Sequence, residues 1–309
     1  MRILVTGGAG FIASHVADRY LAMGHEVAVL DNLSTGFRDV APPTAAFYEV
    51  DLRDPDGLGR VFAEFRPEVV NHHAAQIDVR KSVDDPAHDA MINVVGSCHL
   101  LLECRRAGVK RFIYISSGGA MYGEPRYLPA DESHPVAPEA PYGITKHTVE
   151  HYLEVERRLF GLQTVVLRYP NIYGPRQNPK GEAGVNAIFI GMMLQGQTPT
   201  IFGDGEALRD YLYVMDAVEA NVLALEKGEG EAYNLGWGVG ISVNQVYEAL
   251  RELLDFPHQV IHAAPRAGEI SRIYLNADKA RRELGWAPRV EFREGLSRTV
   301  DFFRAGRPR

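Results

Sequence analysis

Hydrophobic positions in the first half of the chain fall into two alternating patterns. Residues 3–6, 27–31, 47–50, 69–71, 111–116 and 164–168 are apolar on successive positions, as strands covered on both faces are. Between them lie stretches of helical period. Ile12, Val16 and Tyr20 share one face at i, i+4 spacing before Gly24 ends the run, and residues 93–107 form another such stretch closed by Gly108. The alternation predicts an α/β fold, a Rossmann-type doubly wound parallel sheet with helices on both faces. Near Pro170 the texture changes. Residues 171–184 are rich in Gly, Pro and polar side chains, a helix is predicted over 186–195, and a strand over 200–202 runs into Gly203-Asp204-Gly205. The chain of 309 residues is long for one simple core, so a first domain over 1–170 and a smaller C-terminal α/β lobe over 171–309 are expected.

The first turn carries chemistry. The strand at 3–6 runs into Thr6-Gly7-Gly8-Ala9-Gly10-Phe11-Ile12-Ala13, a helix follows, and the second strand ends on Asp31. Gly7 allows a sharp turn, Gly10 lets a pyrophosphate lie against the backbone, and the helix start directs free N–H groups at it. A carboxylate at Asp31, about twenty residues on, can accept the two hydroxyls of an adenosine ribose and repels a 2′-phosphate. The unit is therefore expected to hold NAD rather than NADP. Ala13 stands where a third glycine is usual, an accepted substitution.

Other features narrow the class. A net charge of −7 with no basic run argues against nucleic-acid binding. Cys98 and Cys104 fall in one helical stretch on different faces, and no CxxC or HExxH spacing occurs, so neither a disulfide nor a metal site is expected. No charged leader with an apolar core and no long apolar run is present, which points to a cytoplasmic protein without a membrane span.

A second constellation follows the strand 111–116, which ends in Ser116 and Ser117. In Pro141-Tyr142-Gly143-Ile144-Thr145-Lys146, Pro141 suits the first turn of a helix, so Tyr142 and Lys146 become i, i+4 neighbours. An ammonium beside a phenol and a cationic nicotinamide opposite it both favour the phenolate. Such a pair can take a hydroxyl proton while a hydride leaves the same carbon. The YxxxK spacing alone is a common surface pair. It gains meaning from the Gly-rich turn and the Ser-ended strand upstream.

With these segments go Asp31-Asn32-Leu33-Ser34-Thr35-Gly36, Asp51-Leu52, His73-Ala74-Ala75-Gln76, Asn93, SSGGAMYG at 116–123 and LRYPNIYGPR at 167–176. Together they resemble the extended short-chain dehydrogenase/reductase family over nearly the whole chain, most closely its UDP-glucose (UDP-galactose) 4-epimerases. The resemblance implies NAD as cofactor, bound by Gly7, Gly10, Phe11, Ile12, Asp31, Asn32, Leu33, Ser34, Thr35, Gly36, Asp51, Leu52, His73, Ala74, Ala75, Asn93, Tyr142, Lys146 and Pro170. Asp51 and Leu52 would hold the adenine, and Pro170 would face the nicotinamide. It implies a UDP-sugar substrate held by Asn171, Thr200, Phe202, Arg209 and Arg266, a homodimer, and a return of residues 231–236 to the first sheet.

One position departs from the family pattern. A Ser or Thr usually stands four residues before the Tyr of the YG pair, and here that residue is Gly118. Ser117 is the expected substitute, with Ser116 the alternative. The remaining conspicuous residues have plainer readings: His72-His73 as packing, Met192 and Met193 as helix packing, and Asp84-Asp85-Pro86 as a helix start. A 4,6-dehydratase would need an acid pair within SSGGAMYG, which is absent. UDP-glucuronate or UDP-N-acetylhexosamine epimerases and decarboxylases remain alternatives, as does a non-catalytic NAD-sensing regulator.

Overall fold

A computed structural model describes residues 1–180, 184–265 and 270–306. The strands in chain order are β1 (Arg2–Thr6), β2 (Glu26–Asp31), β3 (Ala46–Glu49), β4 (Val69–His72), β5 (Arg111–Ser117), β6 (Gln163–Tyr169), β7 (Asn171–Tyr173), β8 (Thr200–Phe202), β9 (Leu208–Arg209), β10 (Tyr211–Tyr213), β11 (Glu231–Asn234), β12 (Ile241–Ser242), β13 (Ile261–Ala263) and β14 (Arg272–Ile273). Seven of them form one parallel sheet in the order β11-β6-β5-β4-β1-β2-β3. The order reverses between β1 and β4, so the loops after these two strands part to leave a crevice at their carboxyl ends.

Alternation along the strands sorts the core into two layers. Ile3, Val5, Val27, Val29, Ile113, Ile115, Val165 and Leu167 face one side, where they meet Val16 and Tyr20 of the helix Phe11–Ala22 and Ala217, Ala220 and Ala224 of the helix Val214–Ala224. Leu4, Leu30, Val70, Phe112, Tyr114 and Val166 face the other, against Leu58 and Phe62 of Pro55–Phe65, Leu100 and Leu101 of Gly96–Ala107, and Val149 and Leu153 of Pro141–Phe160. Strands buried on both faces explain why the sequence shows unbroken apolar runs there.

The first layer continues beyond residue 170. Tyr211, Leu212, Val246, Leu250, Trp286 and Leu296 belong to the same buried cluster as the sheet. β11 pairs with β6 in parallel register, Tyr233 opposite Leu167, so chain from beyond residue 170 forms one edge of the main sheet. Short pairs complete this region: β10 with β7, β13 with β8, and β12 and β14 either side of β9. Among the described residues no helix is long and apolar enough to cross a membrane, and no cluster of three or more His, Cys, Asp or Glu could hold a metal ion.

Candidate active site

The crevice is built first by Gly7. Its φ of +70° turns the chain out of β1, and its N–H reaches the Leu30 carbonyl at 2.7 Å. A Cβ there would lie 2.8 Å from the Ala74 nitrogen, so the loops after β1 and β4 meet across a glycine. Gly10 caps the helix Phe11–Ala22 without a side-chain hydrogen bond, and no acidic residue lies in the first turn. Phe11 and Ile12, both partly exposed, open that helix, whose first N–H groups lack side-chain caps, the arrangement that receives a phosphate. Asp31 is buried. Its Oδ2 accepts the Ala9 N–H at 3.0 Å and its Oδ1 accepts the Leu33 N–H at 2.8 Å. Burial pushes its pKa up, and these two N–H groups work against the rise.

The loop Asn32 to Gly36 closes over the turn. Ser34 donates its N–H to the Asn32 side chain at 3.1 Å, Thr35 is exposed, and Phe37 N–H reaches the Ala9 carbonyl at 3.0 Å, so Gly36 packs on Ala9. Asn32 donates to Asp51 at 2.7 Å, and Arg53 grips the same carboxylate through its Nε and a terminal nitrogen, both at 2.9 Å. That guanidinium, above all, holds the Asp51 carboxyl far below the usual carboxylate range. Leu52 is buried beside it, against Gly96. A glycine cradle, an uncapped helix start and a buried acid at the tip of β2 fit the pyrophosphate and ribose of NAD.

β4 ends on His72, and His73 follows it into the crevice wall. His72 is fully buried, its Nδ1 2.7 Å from Thr6 Oγ1 and its Nε2 3.0 Å from Ser97 Oγ. His73 sits half-buried near the Tyr169 ring, followed by Ala74 and Ala75 along the crevice wall. Burial drives both imidazoles down, His72 well below its ordinary value and His73 to about 3, with the Lys146 charge adding to both. The packing reading of this pair holds for His72. Asn93 lies in a π-helical turn, Met91–Val95, and spans the gap: its Oδ1 accepts the Gln76 N–H at 2.8 Å and its Nδ2 donates to the Gln76 carbonyl at 3.0 Å.

Beside this wall the helix Pro141–Phe160 brings Tyr142 and Lys146 to the end of β5. Gly143 makes the approach possible, since a Cβ there would lie 2.5 Å from the Ala120 carbonyl oxygen. The Ser117 hydroxyl lies near the Tyr142 phenol and favours its ionised form, whereas the Ser116 hydroxyl faces Glu150. Position therefore separates the two serines. Gly118 faces away, with a would-be Cβ 2.5 Å from Leu275 Cδ1, while Gly119 leaves an opening between Ser117 and Asn171.

One expectation is corrected. In the protein by itself Lys146 does not bring the phenol down. Burial pushes Tyr142 up to about 12, the nearby Ser117 hydroxyl opposes it, and burial lowers Lys146 to about 8. The Lys146 Nζ lies 4.8 Å from the centre of the Tyr114 ring, in a pocket dry enough that its own charge is disfavoured.

The residues expected to hold substrate lie past β6. Pro170 is the half-buried joint between β6 and β7. Asn171 opens β7 and donates its N–H to the Asp210 carbonyl at 3.0 Å. Thr200 and Phe202 frame β8, paired with β13 at the rim, and Phe202 is exposed. Arg209 lies on β9, held at the Leu208 carbonyl at 2.9 Å. Arg266 lies outside the described residues. The structure thus groups Asn171 with Ser117 through Gly119, and puts Thr200 and Phe202 on a separate short strand pair.

Three residues escaped the sequence reading. Asp210 is buried and accepts N–H groups of Trp237, Gly238 and Leu275 at 3.0–3.1 Å, which locks three loops around Arg209 and Asn171. Burial still raises it to about 6. Asn186 is buried at the start of the helix Val185–Leu194 with neither amide atom partnered among the described residues. Asp89 is fully buried between Gln76, Asn93 and Thr145. Its one sequence signal is the i, i+4 spacing to Asn93 on a helical stretch.

Comparison with known proteins agrees with this geometry. The description of the NAD dependent epimerase/dehydratase family matches residues 3–236. The UDP-glucose 4-epimerase of Mycolicibacterium smegmatis is 44% identical over 310 residues, covering 98% of this chain and 99% of that protein. The crystal structure of the Thermotoga maritima UDP-glucose 4-epimerase with UDP-glucose superposes with a TM-score of 0.98 at 48% identity, covering 99% of each chain. That of the Thermus thermophilus UDP-glucose 4-epimerase in complex with NAD gives 0.94 at 47%, covering 98% of this chain and 99% of that one. The chain belongs to the NAD dependent epimerase/dehydratase family.

Proposed function

We propose that the chain inverts C4 of a UDP-hexose, interconverting UDP-glucose and UDP-galactose, with Tyr142 as the base. The observation that carries this reading is the placement of Tyr142 near the Ser117 hydroxyl, with Lys146 one helical turn on, at the same carboxyl end of the sheet as the uncapped helix and Asp31. NAD bound in the crevice supplies reversible acceptance of a hydride. Gly7 and Gly10 shape the turn so that a pyrophosphate can lie against it, Phe11 and Ile12 present backbone N–H groups to that pyrophosphate, Asp31 with the 32–36 loop takes the adenosine ribose, and Asp51 with Leu52 takes the adenine. His73, Ala74, Ala75, Asn93 and Pro170 line the channel.

The protein's own part is proton handling and orientation. Tyr142 takes the proton of the sugar 4-hydroxyl as C4 is oxidised, and Ser117 donates to the reacting oxygen. A phenol near 12 is almost wholly protonated at neutral pH, and a cationic ring placed against it lowers that value, so the phenolate becomes available when oxidised cofactor is present. The flat 4-keto sugar turns about its phosphate linkage, and Tyr142 returns the proton once the hydride is delivered to the other face. Asn171, Thr200, Phe202, Arg209 and Arg266 hold the UDP group. An arginine is the natural partner of a diphosphate.

The test is turnover of UDP-galactose to UDP-glucose, followed by chromatography, in the parental chain and in Tyr142→Phe. The variant is expected to lose turnover and keep NAD. Substantial residual activity would sink the choice of base.

Two copies are expected to pair through the helices Gly96–Ala107 and Pro141–Phe160, which expose Leu102, Tyr152, Val155 and Leu159 on one side of the molecule. Light scattering should read twice 34.3 kDa.

A further inference from the structure

We propose that Asp89 is a positioning residue for epimerisation: its carboxylate ties the Tyr142–Lys146 turn to the crevice wall and places a fixed negative charge behind both side chains. The inference rests on the reading of Tyr142 and Lys146 given above.

The contacts are specific. Asp89 Oδ2 accepts the Thr145 hydroxyl at 2.7 Å, and Thr145 stands between Tyr142 and Lys146 on their helix. Its Oδ1 accepts Gln76 Nε2 at 2.8 Å and Asn93 Nδ2 at 3.1 Å. Asn93 Nδ2 also lies 3.2 Å from Thr145 Oγ1. One carboxylate therefore joins the loop after β4, the π-helical turn and the base-bearing helix. All four side chains are polar, and Asp89, Asn93 and Thr145 are buried, so a broken link leaves an unsatisfied group in a dry place.

The charge has a second effect. Every hydrogen-bond donor found on Asp89 is neutral, so its negative charge is not cancelled by contact. The groups facing Lys146 are His72 at the end of β4 and His73 just after it, the Tyr114 ring from β5, and Glu150 on its own helix. Both imidazoles are held neutral. Glu150 is gripped by Arg168 at 2.6 and 3.1 Å, with His147 at 3.4 Å. Among the described residues Asp89 is thus the negative charge near Lys146 that no cation contacts. It favours the protonated form of Lys146 and, equally, of the Tyr142 phenol.

Asp89→Asn separates the two effects. The amide oxygen can still accept from Gln76 and Asn93, and the amide nitrogen can meet Thr145 Oγ1, which keeps a second acceptor in the Tyr142 carbonyl at 3.1 Å. The shape survives and the charge goes. Removing it lowers the pKa of both Tyr142 and Lys146, so both limbs of the kcat–pH profile slide to lower pH by about one unit, a movement that mere loosening of the fold does not produce. Thr145→Val keeps the charge and cuts the tether. It should lower kcat about tenfold, a factor that one lost aligning contact accounts for, without moving either limb or the midpoint of NAD binding.

The measurement is kcat against pH for the parental chain and both variants, with bound NAD and thermal melting recorded alongside. Limbs of Asp89→Asn that stay in place overturn the proposal, whatever the rate. If Asp89→Asn does not fold, Thr145→Val decides alone, and an unchanged kcat overturns the proposal. Parental activity surviving in Tyr142→Phe would instead remove the underlying reading, a result that neither Asp89 nor Thr145 variants can mimic.

Discussion

The Ser117 hydroxyl lies near the Tyr142 phenol, while the hydroxyl one residue earlier faces Glu150, two turns further along the same helix. Successive residues of a strand point to opposite faces, and the end of β5 obeys this to its last position. Ser117→Ala is expected to lower kcat about a hundredfold, the scale of one lost donor at a reacting oxygen, with NAD retention unchanged. Ser116→Ala should leave kcat near the parental value and show instead as about 1 kcal/mol or less of stability. Steady-state rates with UDP-galactose and thermal melts of both variants check this. Equal kinetic losses would refute the separation.

Gly118 occupies the place where a hydroxyl residue is usual, and packing explains the glycine. A Cβ there would lie 2.5 Å from Leu275 Cδ1 and 3.3 Å from Cδ2, and Leu275 is fully buried with Met121, Tyr122, Ala130 and Ile273. Gly118→Ser should destabilise the protein by about 1–3 kcal/mol through overpacking. It should not restore turnover to Ser117→Ala, because the new side chain points at Leu275 and not at the phenol. Recovery of activity in the double variant would contradict this placement.

The sheet was legible because its strands are buried on both faces. A strand such as β4 or β5 has no polar side to interrupt the apolar run, so its position in the sequence is plain. The Gly7 turn and Asp31 were legible for a related reason: φ and spacing constrain which residues can stand there. Asp89 and Asp210 were not. Each is buried by chain distant in sequence, Asp89 by Thr145 and Asp210 by Trp237 and Leu275. A carboxylate satisfied by such donors looks, in sequence, like any surface acid. The same distance effect hid the state of Tyr142, since the i, i+4 lysine is visible locally and the burial that opposes it is not.

Lys146 is kept charged in a pocket that disfavours charge, and that has a sign in stability. Its folded pKa of about 8 lies below the value of about 10.5 in an unfolded chain. Below pH 8 both states are protonated and the folded protein bears the full penalty. Between about 8 and 10.5 the unfolded chain binds more protons, so parental stability rises with pH across that window. Lys146→Met should therefore be more stable than the parent at pH 7, by about 1–2 kcal/mol, and inactive. The gap should close as pH rises through the window. Denaturant unfolding at pH 7 and pH 10 measures both values, and a variant less stable than its parent at pH 7 would contradict the argument.

His72 and His73 act at the other end of the pH range. Both are held neutral, His72 by enclosure between Thr6 and Ser97 and His73 by burial, with the Lys146 charge adding to each. Their folded pKa values lie below the ordinary 6.5, His73 near 3, so an unfolded chain takes up protons that the folded chain refuses as pH falls below 6.5. Stability is lost over that descent at up to about 1.4 kcal/mol per pH unit for each ring. Asp210 opposes them. Its pKa of about 6 lies above the ordinary carboxylate value, so the folded chain gains a proton first and is favoured as pH falls below 6. The total curve mixes these contributions, and a difference between variants separates them. His73→Gln removes one ring and no carboxylate. Its stability should fall less steeply than the parent's from pH 6.5 to 5, by about 1.4 kcal/mol per unit, measured by urea unfolding at closely spaced pH values. Parallel curves would mean that His73 takes its proton in the folded chain as readily as in the unfolded one, and the dry crevice wall beside Lys146 would have to be redrawn.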